Sequence, residues 1–156
     1  MIRRTYLDAN GPAGASLCFN EFLGRTAGPR WVELYNRSSE AVDLSGYFLS
    51  SDAEVLNAHA IPAGTVIGAG GFLTIGEAES GQDFAAPEVR LFLTSPGGTE
   101  AVLAQVFENV PDDGRTASRD GYSDARYPDD ASEIWFAWEP TPGAPNRVSN
   151  NESIVI

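Results

Sequence analysis

Two glutamates, Glu21 and Glu33, are the residues whose type and spacing best suit acid–base chemistry in this chain. Each lies in a short apolar segment, and the two carboxyl groups meet if those segments form neighbouring strands. Such a pair can act as general acid and general base. The alternative is a structural network in which Asn20, Glu21 and Glu33 accept hydrogen bonds from an arginine or from backbone amides. Because core-forming residues flank both glutamates and no histidine is near them in sequence, we favour the network and predict no catalytic residue.

An acidic stretch, residues 111–124, contains the residue types that calcium prefers. Its four aspartates supply hard oxygen ligands: Asp112, Asp113, Asp120 and Asp124. The glycines between them allow sharp turns, but the spacing of an EF-hand loop is absent, and Arg115 and Arg119 neutralise the carboxylates locally. We therefore favour a long turn held by arginine–aspartate pairs. A calcium site at the four aspartates is the alternative, and no other cofactor is expected.

The single histidine and the single cysteine exclude most other kinds of active site. A serine or cysteine triad would have to use His59, and a zinc site could draw only one imidazole from the chain. His59 precedes a turn, so we expect a half-buried or exposed strand residue. Cys18 cannot form an internal disulfide, and its apolar neighbours Leu17 and Phe19 indicate a small buried side chain.

The charge balance limits the partners of the protein. Ten arginines and no lysine stand against 22 acidic residues, which gives a net charge of −12 over 156 residues. A surface of this sign repels phosphate, so we expect no nucleic-acid partner and no binding to anionic lipid. No apolar run reaches the roughly 20 residues that span a bilayer, and we expect no membrane insertion. The N-terminal residues lack the apolar stretch of a signal peptide, and we interpret Met1 as the start of a piece of a longer protein.

Short strands separated by turns are the pattern of the whole chain. Sixteen glycines and ten prolines are scattered along it and leave few places for a long helix. The segments rich in aliphatic and aromatic residues are 17–23, 31–36, 46–50, 72–75, 89–94 and 134–138. Residues 89–107 resemble a hairpin, although the spacing in 100–107 also fits a helix, and 47–61 could contain a helical turn. Strand alternation in 134–138 would turn one of Trp135 and Trp138 away from the core, where the prolines of residues 140–145 would cover it.

Three groups of segments, in this order, resemble a known family. The groups are residues 19–22 followed by 31–36; residues 42–50 followed by 61–67 and 69–73; and residues 126–129 with the proline-rich 140–146. Together they are similar to the bacterial form of the lamin tail domain family over most of the chain. One departure is Asp130, which stands where the family commonly has glycine, and the acidic excursion before it looks longer than is typical.

The resemblance implies an all-β, immunoglobulin-like sandwich with two packed sheets of about seven to nine strands in total. It favours a strand for residues 100–107 and carries no catalytic set. We expect a flexible flank over 1–15, the sandwich domain over 16–146 and a polar tail or linker over 147–156. Family members occur at the tails of nuclear lamins and, in bacteria, as modules of secreted or surface proteins.

The expected function is therefore a non-catalytic module for binding, targeting or spacing within a larger bacterial surface or secreted protein. Its partner would be a protein or a cell surface, and the sequence does not identify the binding residues. One alternative is a structural domain that self-assembles in an envelope or filament. The other is a small hydrolase that uses Glu21 and Glu33.

Overall fold

Short runs of β-branched, aliphatic and aromatic residues form the strands of this protein, and glycine- or proline-containing turns separate them. The computed structural model describes residues 5–6, 16–109, 121–137 and 139–147. The order of the first sheet, sheet 1, is β1 (Thr5–Tyr6), β10 (Ala101–Glu108), β9 (Glu88–Thr94), β5 (Phe48–Ser50) and β6 (His59–Ala60). The order of sheet 2 is β12 (Ile134–Ala137), β11 (Ser123–Arg126), β2 (Leu17–Leu23), β3 (Trp31–Asn36) and β8 (Phe72–Gly76). All pairs are antiparallel.

Two smaller elements complete the described fold. Strands β4 (Val42–Asp43) and β7 (Val66–Ile67) pair with each other, and α1 (Glu77–Ser80) is a single helical turn that follows β8. Helix α1 ends at Ser80 and is capped by Gly81, whose φ of 67° is the left-handed conformation that glycine adopts without strain. No helix in the described part of the chain is long and apolar enough to cross a membrane.

The core lies between sheets 1 and 2 and is built by strand alternation. On sheet 2, Phe22 points inward and stacks on Phe107 of sheet 1, with ring centroids 4.6 Å apart. Phe84 contacts the Phe22 ring edge-on, with ring centroids 5.6 Å apart. Leu34 and Leu91 belong to the same cluster and are fully buried. Each large apolar side chain removed from water contributes about 1.5–3 kcal/mol. The contact between the two inward faces therefore holds the sandwich together.

The expected all-β, immunoglobulin-like sandwich of two packed sheets is confirmed. The two sheets contain ten strands and the β4–β7 pair adds two, which is more than the expected seven to nine. The segment 100–107 is a strand, because it pairs with β9 along almost its whole length. Residues 47–61 contain β5, turns and β6 but no helix, whereas α1 was not predicted.

Candidate functional site

A β-bulge in β2 decides where the two glutamates point. Phe19 lies opposite Leu34 and Glu21 lies opposite Glu33, so Asn20 is one extra residue on the β2 side of the ladder. Without it, Glu21 would lie opposite Val32, which points into the core. The bulge thus places the Glu21 side chain on the outer face of sheet 2, the face to which Glu33 also points. It also lets Phe19 and Phe22, three residues apart, both face the core.

One row of residues crosses the outer face of sheet 2 through all five strands. From β12 to β8 its members are Trp135, Ala125, Glu21, Glu33 and Thr74. The segment that follows β12 passes over this row, and its described part, residues 139–147, is here called the C-terminal strap. Thr141 lies at Glu21 and Gly143 lies at Glu33, so the strap crosses from β2 to β3.

The strap donates hydrogen bonds to both carboxyl groups. The backbone N–H and the hydroxyl of Thr141 donate to Glu21 at 3.0–3.2 Å, and the hydroxyl of Ser123 donates to the same carboxyl group at 2.5 Å. The N–H of Gly143 donates to Glu33 Oε2 at 2.5 Å, and the hydroxyl of Thr74 donates to the same oxygen at 3.1 Å. Donors reach both oxygens of Glu21 and one oxygen of Glu33.

Asn20, the extra residue of the bulge, is the centre of a second set of contacts. Its amide donates to Asp129 Oδ1 at 3.0 Å, and its side-chain oxygen accepts the N–H of Asp130 at 3.0 Å. The amide of Asn146 donates to the carbonyls of Asn20 and Arg126 at 3.0 and 2.8 Å. The end of the strap, the bulge and the turn after β11 are therefore joined by buried polar groups.

Burial shifts the ionisation of the paired carboxyl groups. Burial, reinforced by the negative charge of Glu21, raises the pKa of Glu33 to about 7, although the Gly143 N–H and the Thr74 hydroxyl oppose the shift. Burial also raises the pKa of Glu21, and the bonds from Ser123 and Thr141 pull it back. Glu33 Oε1 is buried and has no hydrogen-bond partner in the described part of the chain. A group with a raised pKa near neutrality suits acid–base chemistry, but both residues are 0 % exposed beneath the strap.

The structure brings together only part of the residues considered for chemistry. Asp112, Asp113 and Asp120, three of the four aspartates of the calcium alternative, lie outside the described residues. Asp124 is buried in β11 and forms an ion pair with Arg25 at 2.7 Å. Among the residues described, no group of three or more His, Cys, Asp or Glu side chains is placed to hold a metal ion.

The single histidine lies in sheet 1, away from the two glutamates, and the single cysteine is buried. His59 is half-buried in β6 at the end of sheet 1. Cys18 is buried, and burial raises the pKa of its thiol to about 12, so the thiol is un-ionised and unreactive near neutral pH. Trp135 faces outward and is half-buried. Whether the strap prolines cover it stays a prediction.

Sequence reasoning noted Asp130 as a departure from the family but did not predict that its turn holds the strap in place. Asp130 has a φ of 67°, a left-handed conformation that non-glycine residues rarely adopt. Its carboxylate pairs with Arg37 at 2.8 Å and its N–H bonds Asn20, and these contacts hold the strained backbone. The available signal was the aspartate at a position where a glycine is common, because glycine is the residue that tolerates this φ.

A free strand edge is the second notable feature. Strand β8 pairs with β3 on one side, and no described strand pairs with its other side. In an antiparallel ladder, every second residue of a strand bonds one neighbour and the residues between point their main-chain groups the other way. The N–H of Asn36 donates to the carbonyl of Gly71, and the N–H of Glu77 donates to the carbonyl of Arg30. The N–H and C=O groups of Phe72 and Thr74 therefore point toward the open edge. The strand has no charged residue and no proline, which are the usual devices that prevent edge pairing.

These features define an immunoglobulin-like sandwich module in which the carboxyl groups of Glu21 and Glu33 serve internal contacts. The family model of the Lamin Tail Domain matches residues 10–123, more than half of the chain, and the chain therefore belongs to that family of non-catalytic, immunoglobulin-like domains. No curated protein and no solved structure matched the chain. The matched range ends at the start of β11, before the strap, and the predicted domain limits of 16–146 stay a prediction.

Proposed function

We propose that this domain is a non-catalytic binding module that pairs an extended segment of a partner protein with the open edge of β8. The observation that carries the proposal is the uncharged, proline-free edge with main-chain groups of Phe72 and Thr74 directed outward. An added strand satisfies such groups without special side-chain chemistry. The parent would be a larger bacterial surface or secreted protein that the module targets or spaces.

The side chains around the edge support recognition as well as pairing. Phe72 lies against Tyr35 on the outer face, with ring centroids 5.1 Å apart, and both rings are half-buried. Leu73, on the inner face, is only half-buried although it packs on the core. A partner strand would cover apolar surface on both faces of β8, and alternate side chains of that strand would give specificity.

The burial of Glu21 and Glu33 argues against the hydrolase alternative. Each carboxyl group is 0 % exposed, and each accepts donors from the strap. A substrate would reach them only after the strap left. The self-assembly alternative uses the same β8 edge, with a second copy of this chain as the partner, and it is separated from the proposal by experiment.

A peptide titration tests the proposal. The probe is a capped peptide with the sequence of residues 30–36, since this segment already pairs with the other side of β8 in an antiparallel register. We expect the peptide to shift the amide NMR signals of Phe72 and Thr74 and to slow their hydrogen exchange. Sedimentation at rising protein concentration without peptide shows whether a second copy takes the same edge.

Two substitutions at one position separate edge pairing from other contacts. Thr74→Pro removes the outward N–H and should abolish peptide binding while the bonds between β3 and β8 remain. Thr74→Val removes only the hydroxyl that donates to Glu33 and should keep binding. If the valine variant loses binding as completely as the proline variant, or if the peptide leaves Phe72 and Thr74 unprotected, edge pairing is wrong.

A further inference from the structure

The C-terminal strap covers two acidic side chains that face each other. Glu21 and Glu33 lie directly opposite on β2 and β3, and both are 0 % exposed. Side chains in such positions have Cβ atoms about 4.5–5.5 Å apart, and like charges there are destabilising. Residues 142–145 of the strap are themselves exposed, so the strap is a thin cover. Movement of this one segment would bring water to both carboxyl groups.

The groups packed around these carboxyls supply hydrogen bonds but not ion pairs. In the described part of the chain, their donors are hydroxyls and backbone N–H groups, and the ion pairs found there use other acids. Two charged groups act on Glu33, and both are negative: Glu21 on β2 and Asp129 in the turn after β11. Strand β8 and the strap present only the Thr74 hydroxyl and the Gly143 N–H to it.

A closed strap therefore favours a proton on Glu33. Two buried carboxylates that face each other would each lose hydration, and their mutual repulsion would be strong because no water separates them. Glu33 Oε1 is buried and has no hydrogen-bond partner in the described part of the chain, so a negative charge there would be poorly compensated. The pKa of Glu33, which burial and the charge of Glu21 raise to about 7, agrees with this arrangement.

We propose that the strap is a pH-dependent cover, which opens over residues 141–143 when Glu33 releases its proton to solvent and uncovers an acidic surface beside β8. In the closed form, the protonated carboxyl of Glu33 stays under the strap and its Oε2 accepts the Gly143 N–H. Ionisation leaves a buried charge opposite Glu21, and opening hydrates both groups. The end of the strap stays attached, because the Asn146 amide donates to main-chain carbonyls, which do not titrate.

Proton linkage sets the direction and size of the effect. Glu33 has a pKa of about 7 under the closed strap and its ordinary value of 4.5 once hydrated. Opening becomes easier as the pH rises from about 4.5 to 7 and then levels off, because above pH 7 Glu33 is ionised in both forms. Each pKa unit is a tenfold change, so the opening constant should rise about a hundredfold between pH 4.5 and pH 8. The proposal does not rest on binding at the β8 edge, which uses main-chain groups.

Hydrogen exchange in the complete chain tests the proposal, because the Gly143 N–H exchanges when its bond to Glu33 breaks. Dividing each exchange rate by the intrinsic rate at that pH gives the opening constant, which we expect to rise about a hundredfold from pH 4.5 to pH 8. Leu93, a buried residue of β9 with strands on both sides, reports unfolding of the whole domain. Gly143 should exchange much faster than Leu93 and should not respond to low denaturant concentrations. Equal opening constants at the two residues would overturn the proposal, since the strap would then leave only on global unfolding.

Three variants assign the pH dependence to named groups, and the dispersion of the amide spectrum checks folding in each. Glu33→Gln cannot ionise and should make the opening constant of Gly143 nearly independent of pH. Glu21→Gln leaves Glu33 able to ionise but removes the facing charge, so the rise should become smaller. Glu54→Gln removes one carboxylate from an exposed position and should leave the rise unchanged. A full hundredfold rise in the Glu33 variant, its loss in the Glu54 variant, or wild-type opening that increases toward acid pH would each overturn the proposal.

Discussion

Replacing Glu33 by glutamine should stabilise the protein at alkaline pH, which is the reverse of the usual result for a buried, hydrogen-bonded residue. Burial raises the pKa of Glu33 from its ordinary value of 4.5 to about 7 in the folded state. The folded protein therefore binds this proton more tightly than the unfolded chain does. Between about pH 4.5 and pH 7 the stability contributed by the protonated carboxyl falls as the pH rises.

The size of the effect follows from the same shift. The rise from the unfolded pKa of 4.5 to the folded pKa of about 7 corresponds to about 3–4 kcal/mol, at about 1.4 kcal/mol per pKa unit. Glu33→Gln keeps an oxygen that accepts from Gly143 and Thr74 and never carries the charge. We expect the variant to exceed the wild type by about 1–3 kcal/mol at pH 8 and to match it near pH 4.

Denaturant unfolding of both proteins between pH 4 and pH 8 measures the difference. A gain of this size at pH 8 corresponds to a rise in Tm of about 2–12 °C for a domain of this length. Glu54→Gln is the matched control, because it removes one carboxylate from an exposed position. A variant that is less stable than wild type at pH 8, with an unchanged pH profile, would show that the ionised carboxylate stabilises the strap and would refute the reasoning.

Three further substitutions test the core and the buried ion pair by thermal or denaturant unfolding. Phe22→Ala should cost about 3–5 kcal/mol, because it leaves a cavity between the sheets where Phe107 and Phe84 now pack; a loss below about 1 kcal/mol would contradict that packing. Gly24→Ala should cost at least about 1–3 kcal/mol. The added Cβ would lie 2.6 Å from the Phe84 carbonyl oxygen and 2.2 Å from Asn109 Oδ1. A neutral result would show that this turn can move. Asp124→Asn should cost about 3–5 kcal/mol, because it leaves the buried Arg25 without its counter-charge; an unchanged midpoint would show that water reaches the pair.

The strands of the core could be predicted because their chemistry is local. Alternating apolar residues in β9 and the turn that precedes β10 identify the hairpin from a short window of sequence. The helical spacing in β10 was overridden by its pairing with β9, which no local pattern encodes. Helix α1 was missed because it is a single turn, although Gly81 at its end and Glu79, whose carboxylate accepts the N–H of Gly76, are ordinary signals of helix ends.

The site was predictable in its members but not in its geometry. Asn20, Glu21 and Glu33 stand out because polar residues interrupt apolar segments, and burial then demands hydrogen-bond partners. The donors are Thr141 and Gly143, more than 100 residues away in sequence, and no spacing rule connects them. The bulge at Asn20 could not be predicted from the sequence either. Every residue of β2 is buried, so the strand lacks the usual alternation between solvent-exposed and buried side chains.

Buried carboxyl groups of this kind favour one arrangement of the chain more than they add stability. Replacing a buried polar network with apolar residues is often neutral or stabilising, whereas breaking one partner is costly. Here Glu21 and Glu33 find donors only when the bulge in β2 and the strap are both formed. A slip of β2 by one residue would turn Glu21 into the core and leave its charge without partners. The network thus penalises the wrong register, and Glu33 Oε1 is the one atom of the two carboxyl groups that has no hydrogen-bond partner in the described part of the chain.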